Sequence, residues 1–248
     1  ARVAAIRGHK VSLYEKNQEL GGNLIPGGSH RFKKEVRELN AWYRNELSLL
    51  PVEVHTGEAV TAEQVKNMGA DVVILATGST PIMPRVPGIN DPKVVGCMDA
   101  FAHPEKVGQR VVVIGGGLVG CEMALDYAQE GKEVIVVEAL PKILSSGIPS
   151  PIPNGQMIPD LFEYHHVNVL EGHKLSAVVD GKAILDCDGQ KKELEADTFV
   201  IAVGFRPAPS MAQELSDCGA AVYEIGDEQQ VSTILHAVWD GYEVGNNI

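Results

Sequence analysis

Three glycines and one acid stand at a spacing that suits a bound phosphate group. Gly115, Gly117 and Gly120 form the pattern G-x-G-x-x-G, and Glu138 follows 18 residues after Gly120 (138 − 120). A glycine turn of this kind lets a ligand approach bare backbone, and a helix starting there points unpaired N–H groups at an anion. An acid at this distance accepts hydrogen bonds from ribose hydroxyls. The pattern predicts a dinucleotide site.

The flanking residues supply the elements that such a site needs. Arg110 to Ile114 is a β-branched run typical of a buried strand, Leu118 to Gln129 has the composition of a helix, and Glu133 to Val137 is a second strand that ends on Glu138. Glycines alone would be a weak signal. Because strand, turn, helix and acid all coincide, the order strengthens the prediction.

The same stretch favours one nucleotide over the other. The charge of Glu138 would repel a 2′-phosphate, and no Arg or Lys follows it until Lys142, so NAD(H) is favoured over NADP(H). The residues predicted to line the phosphates are Gly115, Gly116, Gly117, Leu118, Val119 and Gly120.

Composition excludes several other functions. The formal net charge of −12 argues against nucleic-acid binding, since there is no basic face to displace counterions. The basic residues Arg31, Lys33, Lys34 and Arg37 alternate with acids and are predicted to form a solvated helix face. No apolar run approaches the roughly 20 residues of a membrane span, and no signal peptide is recognisable. No membrane partner is therefore expected.

The cysteines give no redox or metal pattern. Cys97, Cys121, Cys187 and Cys218 are widely separated and form no C-x-x-C, which disfavours a redox disulfide, a zinc site or an iron–sulfur site in this chain. A reducing, cytoplasmic location fits this usage. No nucleophile–base pair is recognisable either, so we nominate no catalytic residue and no metal ligand.

The beginning of the sequence differs from a complete nucleotide-binding unit. Ala1 to Arg7 reads as the end of a helix, and Val11 to Glu15 reads as a strand that ends on an acid, as the strand before Glu138 does. The first strand and glycine turn that should precede them are not present. We expect the chain to be a fragment that begins inside a first βαβ unit.

The remaining segments alternate between strands and helices, which predicts an α/β fold. Glu19 to Gly28 is a glycine-rich loop, and Arg31 to Leu49 is an amphipathic helix. Pro141 to Pro159 contains five prolines and is predicted to be a loop that leads into a helix from about Asp160 to Tyr164. Asp227 lies between a strand and the last helix, where it could be an N-cap or a ligand.

Taken in order, the motifs resemble those of the flavoprotein reductases with two dinucleotide-binding domains. They are LYEK (Leu13 to Lys16), LGG (Leu20 to Gly22), ATGS (Ala76 to Ser79), VIGGGLVGCE (Val113 to Glu122), VGFRP (Val203 to Pro207) and IGD (Ile225 to Asp227). Within that superfamily the chain looks most like the C-terminal half of the NADH:flavin oxidoreductases related to old yellow enzyme. These include 2-enoate reductases, 2,4-dienoyl-CoA reductases and trimethylamine dehydrogenase.

The resemblance implies two Rossmann-like domains, one inserted in the other. The inserted NAD(H)-binding domain would span residues 107–203. An FAD-binding-type domain would be made from residues 1–106 and 204–248, with its first strand and glycine loop lying before Ala1. Without that loop, FAD affinity should be severely weakened, and this chain alone would bind nucleotide without running the full reaction.

The resemblance also implies roles for individual residues. Glu15 would bind the FAD adenosine ribose, Asp227 would hold the ribitol or pyrophosphate region, and Glu122 would lie near the nicotinamide carboxamide. The residues implied at FAD are Glu15, Lys16, Gly22, Asn23, Ala76, Thr77, Gly78, Gly226 and Asp227. At NAD(H), the resemblance adds Glu122 and Gly204 to the glycine loop and Glu138.

The implied reaction belongs to a longer parent protein. NADH would reduce FAD, and electrons would pass to an N-terminal β/α barrel with FMN and a 4Fe–4S cluster that reduces activated C=C bonds. Two alternatives stay open: a non-catalytic, structural adenine-nucleotide-binding module, and a free-standing NADH oxidase or ferredoxin-type reductase. Partners would be NADH, FAD and the barrel, with a homo-oligomer also possible.

Overall fold

The computed structural model describes residues 1–145 and 152–248. The helices in these residues are α1 (Arg2–Ile6), α2 (Leu24–Gly27), α3 (Lys34–Ser48), α4 (Ala62–Asn67), α5 (Cys97–Ala102), α6 (Leu118–Gln129), α7 (Ile152–Tyr164) and α8 (Ile234–Asn247). Short 3₁₀ turns lie at Pro104–Lys106 and Gly226–Glu228. None of the helices in the described ranges is both long and apolar enough to cross a membrane.

The strands alternate with these helices in the first part of the chain, whereas β8 to β14 follow one another without an intervening α-helix. They are β1 (Val11–Glu15), β2 (Val52–Thr56), β3 (Val72–Leu75), β4 (Ser79–Pro81), β5 (Val94–Gly96), β6 (Arg110–Ile114), β7 (Glu133–Val137), β8 (Asn168–Leu170), β9 (Lys174–Val179), β10 (Lys182–Cys187), β11 (Gln190–Glu195), β12 (Thr198–Ile201), β13 (Phe205–Pro207) and β14 (Ala221–Glu224). Of these, β4 and β13 pair in a two-stranded sheet. The predicted α/β fold with parallel sheets is confirmed.

The described chain forms two compact units, and the unit Pro81–Phe205 is contiguous in sequence. It contains a five-stranded parallel sheet with the order β5–β12–β6–β7–β8. One face of the sheet packs against α6 through a core that includes Val113, Met123 and Val136. The other face packs through Phe199 and Leu185 against the antiparallel sheet β9–β10–β11. Burial on both faces explains the uninterrupted apolar run of β6.

The other unit combines residues 1–80 with residues 206–248. Here β1 pairs with β2 and β3 pairs with β14, both in parallel. A small core of Ala62, Leu75 and Leu215 lies in this unit. Thr61 and Gln64 form a reciprocal capping box that starts α4.

Residues 81–106, which the sequence assigned to the first domain, belong to the Pro81–Phe205 unit. The physical reason is strand pairing, because Val94 to Gly96 align with Phe199 to Ile201 at the edge of the five-stranded sheet. Backbone hydrogen bonds of this kind form only in the folded sheet, and a strand of three residues is too short to give a clear pattern in the sequence.

The proline-rich stretch is more helical than predicted. Part of it, residues 146–151, lies outside the described residues, but a helix begins at Ile152 and continues through Pro159 to Tyr164. Ile158 and Phe162 are buried on this helix. Core packing of these two side chains outweighs the backbone hydrogen bond that Pro159 cannot donate. The predicted loop from Pro141 to Pro159 is therefore wrong for residues 152–159.

The basic cluster is solvated as predicted at Arg31, Lys34 and Arg37, which are exposed, but only part of it lies on a helix. Because α3 begins at Lys34, Arg31 lies before the helix. The Arg37 guanidinium donates hydrogen bonds to the carbonyl oxygens of Gly28 and His30, the latter at 2.7 Å. Arg37 therefore holds the glycine-rich loop in place.

Candidate functional site

The glycine turn lies at the carboxyl end of β6, the central strand of the parallel sheet. β6 ends at Ile114, and α6 begins at Leu118 with Gly117 as its N-cap. No side chain caps this N-terminus. The first N–H groups of a helix have no partner within the helix, and the helix dipole is positive at this end. The turn is therefore suited to hold an anion.

Two glycines allow the turn to be this tight. Gly115 has a φ of +113°, and a Cβ atom there would lie 2.3 Å from the carbonyl oxygen of Ala202. At Gly120 a Cβ atom would lie 1.9 Å from the carbonyl oxygen of Gly115. Both distances are well below van der Waals contact, so only glycine fits at either position.

The Glu138 carboxylate is bound to the turn itself. Its Oε2 accepts a hydrogen bond from the N–H of Gly116 at 2.7 Å, and its Oε1 accepts one from the N–H of Leu140 at 2.7 Å. The residue is 8% exposed. The acid at the end of β7 thus holds two backbone segments together, which its position in the sequence did not reveal.

A thiol completes the contacts of Gly116. Cys121 donates to the Gly116 carbonyl oxygen at 3.3 Å. Burial, with smaller contributions from the charges of Glu138 and Glu122, raises the pKa of the Cys121 thiol to about 12. The thiol therefore stays neutral at physiological pH and acts as a hydrogen-bond donor. Glu122 is itself buried on α6.

Gly204 lies just after β12, whose end borders the turn. It has a φ of +104°, and its carbonyl oxygen accepts from the N–H of Ile82 at 2.9 Å. The two residues before it, Ala202 and Val203, are those that crowd the position of a Gly115 Cβ. Gly204 therefore directly follows the two residues that pack against the predicted nucleotide turn.

These residues fit a bound nucleotide. An open helix N-terminus can hold phosphate groups, and the two glycines remove side chains from the approach. A carboxylate has about four lone-pair sites, so Glu138 retains acceptor capacity for ribose hydroxyls after binding two N–H groups. Its negative charge opposes an added phosphate. The roles of the individual residues stay predictions.

In the other unit the structure brings together several residues predicted at FAD. The Asp227 carboxylate accepts from the Ser79 hydroxyl at 2.7 Å and from the N–H of Ser232 at 3.0 Å. Asn23 donates through Nδ2 to the backbone and side-chain oxygens of Ser79, both at 3.3 Å. Ser79 therefore connects the glycine-rich loop with the turn that carries Asp227.

Sequence reasoning missed Glu228. This side chain is 3% exposed, and its Oε2 accepts from both the N–H and the hydroxyl of Thr77, at 2.6 and 2.7 Å. Asp227 thus binds Ser79, and Glu228 binds Thr77. The two acids therefore hold the residues on either side of Gly78. The available signal was a second acid directly after the predicted one, but adjacency alone does not distinguish a buried acid from a solvated one.

The remaining predicted flavin residues have local contacts. Glu15 accepts from the N–H of Asn17 at 2.8 Å, and Lys16 is exposed. Gly22, Gly78 and Gly226 have φ values of +47°, +75° and +62°, where a side chain would strain the backbone. The Glu15 carboxylate contacts Asn17, whereas the Asp227 carboxylate contacts Ser79 and Ser232.

The described residues contain no group of three or more His, Cys, Asp or Glu side chains that could hold a metal ion. The four cysteines are free thiols, of which Cys97 and Cys121 are buried. The structure supplies no disulfide for redox chemistry in this part of the chain.

Comparisons with known proteins give a consistent family. The family model described as pyridine nucleotide-disulphide oxidoreductase matches residues 1–239. The chain is 41% identical to a cinnamate reductase of Clostridium sporogenes over all of this chain and 37% of the relative. It is 34% identical to a bilirubin reductase of Mediterraneibacter gnavus over 99% of this chain and 38% of the relative.

A solved structure agrees with these relatives. A 2-naphthoyl-CoA reductase in complex with 2-naphthoyl-CoA superposes with a TM-score of 0.90 and 28% identity, over all of this chain and 37% of that protein. The chain therefore spans less than two fifths of the length of each of these three proteins. The predicted resemblance to reductases of the enoate reductase type is confirmed.

Proposed function

The chain belongs to the pyridine nucleotide-disulphide oxidoreductase family, and we propose that it is the nucleotide- and flavin-binding region of a longer NADH-dependent reductase. When bound, the two cofactors would supply the chemistry of hydride transfer from NADH to FAD. The chain's own residues bind and orient the two cofactors.

The observation that carries the nucleotide part of the proposal is the Gly116–Glu138 contact. The bond at 2.7 Å places a buried carboxylate beside an open helix N-terminus. This arrangement offers acceptors for ribose hydroxyls and donors for phosphates within one turn. Since Glu138 is negative, NADH is preferred over NADPH, whose 2′-phosphate carries a like charge.

The flavin part rests on family membership and on the cluster of Asn23, Ser79 and Asp227. The paired acceptors and donors of this cluster are suited to the polyhydroxyl chain and phosphates of a flavin nucleotide. Asp227 also accepts from the N–H of Ser232, and Thr77, two residues before Ser79, is bound to Glu228, so neighbouring hydrogen bonds preorganise the cluster. We propose that it holds FAD.

The final substrate of the longer protein is a molecule with an activated C=C bond. Cinnamate, bilirubin and 2-naphthoyl-CoA appear in the names of the relatives, and all three are conjugated molecules. We propose that electrons leave this region for an FMN and 4Fe–4S barrel in the same parent protein, where the reduction takes place.

The test is calorimetric titration of the 248-residue chain with NADH, NADPH and FAD. We expect NADH to bind, and to bind about tenfold or more tightly than NADPH, because a buried carboxylate opposes the 2′-phosphate. A longer natural protein that contains this chain should show bleaching of flavin absorbance on anaerobic addition of NADH.

The outcomes separate the alternatives. Failure of this chain to bind NADH contradicts the nucleotide site. If NADH binds but does not reduce flavin in the longer protein, the chain is a structural nucleotide-binding module. If flavin is reduced and oxygen or a ferredoxin is the only acceptor used, a free-standing oxidase or reductase is favoured over the barrel enzyme.

A further inference from the structure

The segment after β7 folds back onto the glycine turn. This segment, residues 139–145, is called the β7 loop below. The N–H of Leu144 donates to the carbonyl oxygen of Gly116 at 2.8 Å. The Ile143 side chain approaches to 2.7 Å from the position that a Cβ of Gly116 would occupy. The β7 loop therefore packs directly on the predicted nucleotide turn.

The conformation of the β7 loop carries strain. Leu144 has a φ of +58°, in the left-handed region that branched and bulky side chains rarely adopt. A residue in that region is strained and persists only where its surroundings fix it. The contacts that surround Leu144 must therefore hold the loop in this shape.

The Glu171 side chain, directly after the neighbouring strand β8, supplies one contact to the β7 loop. Glu171, which follows β8, accepts a hydrogen bond from the N–H of Ile143 through Oε1 at 2.9 Å. The N–H of Gly172 donates to the carbonyl oxygen of Leu140 at 3.0 Å. The turn after β8 thus anchors the β7 loop at two points.

The N–H groups of three loop residues each meet a different acceptor. Leu140 donates to Glu138, Leu144 donates to Gly116, and Ile143, next to the strained residue, donates to Glu171. Removing the Glu171 carboxylate leaves the Ile143 N–H without this acceptor. The loop then loses the contact next to Leu144, and the bond from Leu144 to Gly116 weakens with it.

The position of this loop relates it to nucleotide choice. In a βαβ unit the acid that ends the second strand faces the ribose 2′ position, and the residues just after it meet any 2′-phosphate. The β7 loop begins directly after Glu138 and carries Lys142, the first Lys or Arg after Glu138. Its shape therefore influences both the affinity for NADH and the exclusion of NADPH.

We infer that Glu171 is a positioning residue for nucleotide specificity, which holds the β7 loop on Gly116 through the N–H of Ile143. The inference rests on the proposed NADH site. Glu171 acts through the loop and need not touch the nucleotide itself.

The experiment measures the dissociation constants of NADH and NADPH for four forms of the chain by calorimetry. These are the wild type, Glu171→Ala, Glu171→Gln and Glu163→Ala. Glu163 is an exposed acid on α7 and serves as the matched control. The thermal midpoint of each form is measured first, so that all titrations are made on folded protein.

We expect Glu171→Ala to weaken NADH binding about three- to tenfold, because the free energy of one hydrogen bond to a charged acceptor is an upper limit for an effect that acts through the loop. NADPH binding should weaken less or improve, because a loosened loop can move away from an added phosphate. Glu171→Gln should stay within about twofold of the wild type, since its amide oxygen still accepts from Ile143. Glu163→Ala should match the wild type.

Each contrary result has a definite meaning. Wild-type affinities for both nucleotides in Glu171→Ala overturn the inference and leave the proposed function standing. Equal loss in Glu171→Gln and Glu171→Ala assigns the effect to charge and also overturns positioning. A wild type that binds neither nucleotide removes the proposed function and the inference together. If Glu171→Ala does not fold, Glu171→Asp, which keeps the charge and shortens the reach, takes its place.

Discussion

The Glu138 carboxylate has an observed structural role and a proposed role in binding the ribose, and one carboxylate can perform both. It joins the glycine turn to the β7 loop through two backbone N–H groups, and it keeps one lone-pair site on each oxygen for a ligand. Its position after a strand predicted only the ligand function. A substitution at Glu138 therefore changes the shape of the site as well as its charge.

We predict that Glu138→Gln weakens NADH binding at least about tenfold without creating affinity for NADPH. The amide offers one oxygen, so its NH₂ group must face the N–H of either Gly116 or Leu140. Loss of a buried hydrogen bond to a charged group costs about 1.5–3 kcal/mol. Calorimetric dissociation constants for both nucleotides check this prediction.

The matched control for this variant is Glu133→Gln, an exposed acid at the other end of β7. It should bind both nucleotides as the wild type does. Unchanged NADH affinity in Glu138→Gln would show that the two backbone bonds do not shape the site. A gain of NADPH affinity in Glu138→Gln would show that charge alone sets the preference.

At the scale of elements, the proposed nucleotide site depends on how closely α6 lies against the turn. Gly120 sets this distance, because a Cβ there would lie 1.9 Å from the Gly115 carbonyl oxygen. The turn cannot give way easily, since Gly115 is itself confined by Ala202. A single methyl group must therefore displace the helix, and with it the N–H groups that we propose to face the phosphates.

We predict that Gly120→Ala abolishes measurable NADH binding and lowers the free energy of unfolding by about 1–3 kcal/mol, the usual cost of overpacking a tight core. Urea unfolding and NADH titration test the two effects. Gly155→Ala is the control, because Gly155 is a helical glycine with open space around its missing Cβ. Wild-type stability and affinity in Gly120→Ala would contradict the close packing described above.

Local signals made most elements predictable from the sequence. The bounds of β1, β6, α6 and β7 follow from β-branched runs, glycines and strand-ending acids, which act over a few residues. Only the first part of α7, residues 152–159, was missed, because the burial of Ile158 and Phe162 in the core stabilises this helix. Tertiary packing of this kind overrides local proline signals and is not visible in one sequence.

The site was predictable to a smaller extent, for the same reason. The glycine turn and Glu138 form one local pattern, whereas Glu171 and Ile143 are 28 residues apart and Thr77 and Glu228 are 151 apart. A single sequence gives no measure of such pairings. Hydrogen bonds between distant residues therefore had to come from the structure.

At the scale of the whole molecule, the two units differ in how the chain forms them. One is contiguous and has a core on each face of its parallel sheet. The other joins residues 1–80 to residues 206–248 around a smaller core. A contiguous unit with its own core has what independent folding requires.

We therefore predict that residues 81–205, expressed alone, fold cooperatively and bind NADH within about threefold of the affinity of the full chain. The described residues that hold the glycine turn, Glu138 and Glu171 among them, all belong to this unit. Its length of 125 residues (205 − 81 + 1) is also typical of a single domain. Circular dichroism melting and calorimetry measure the two properties. If residues 81–205 fold but do not bind NADH, part of the nucleotide site lies in residues 1–80 or 206–248. If they do not fold, the stability of the five-stranded sheet depends on those two segments.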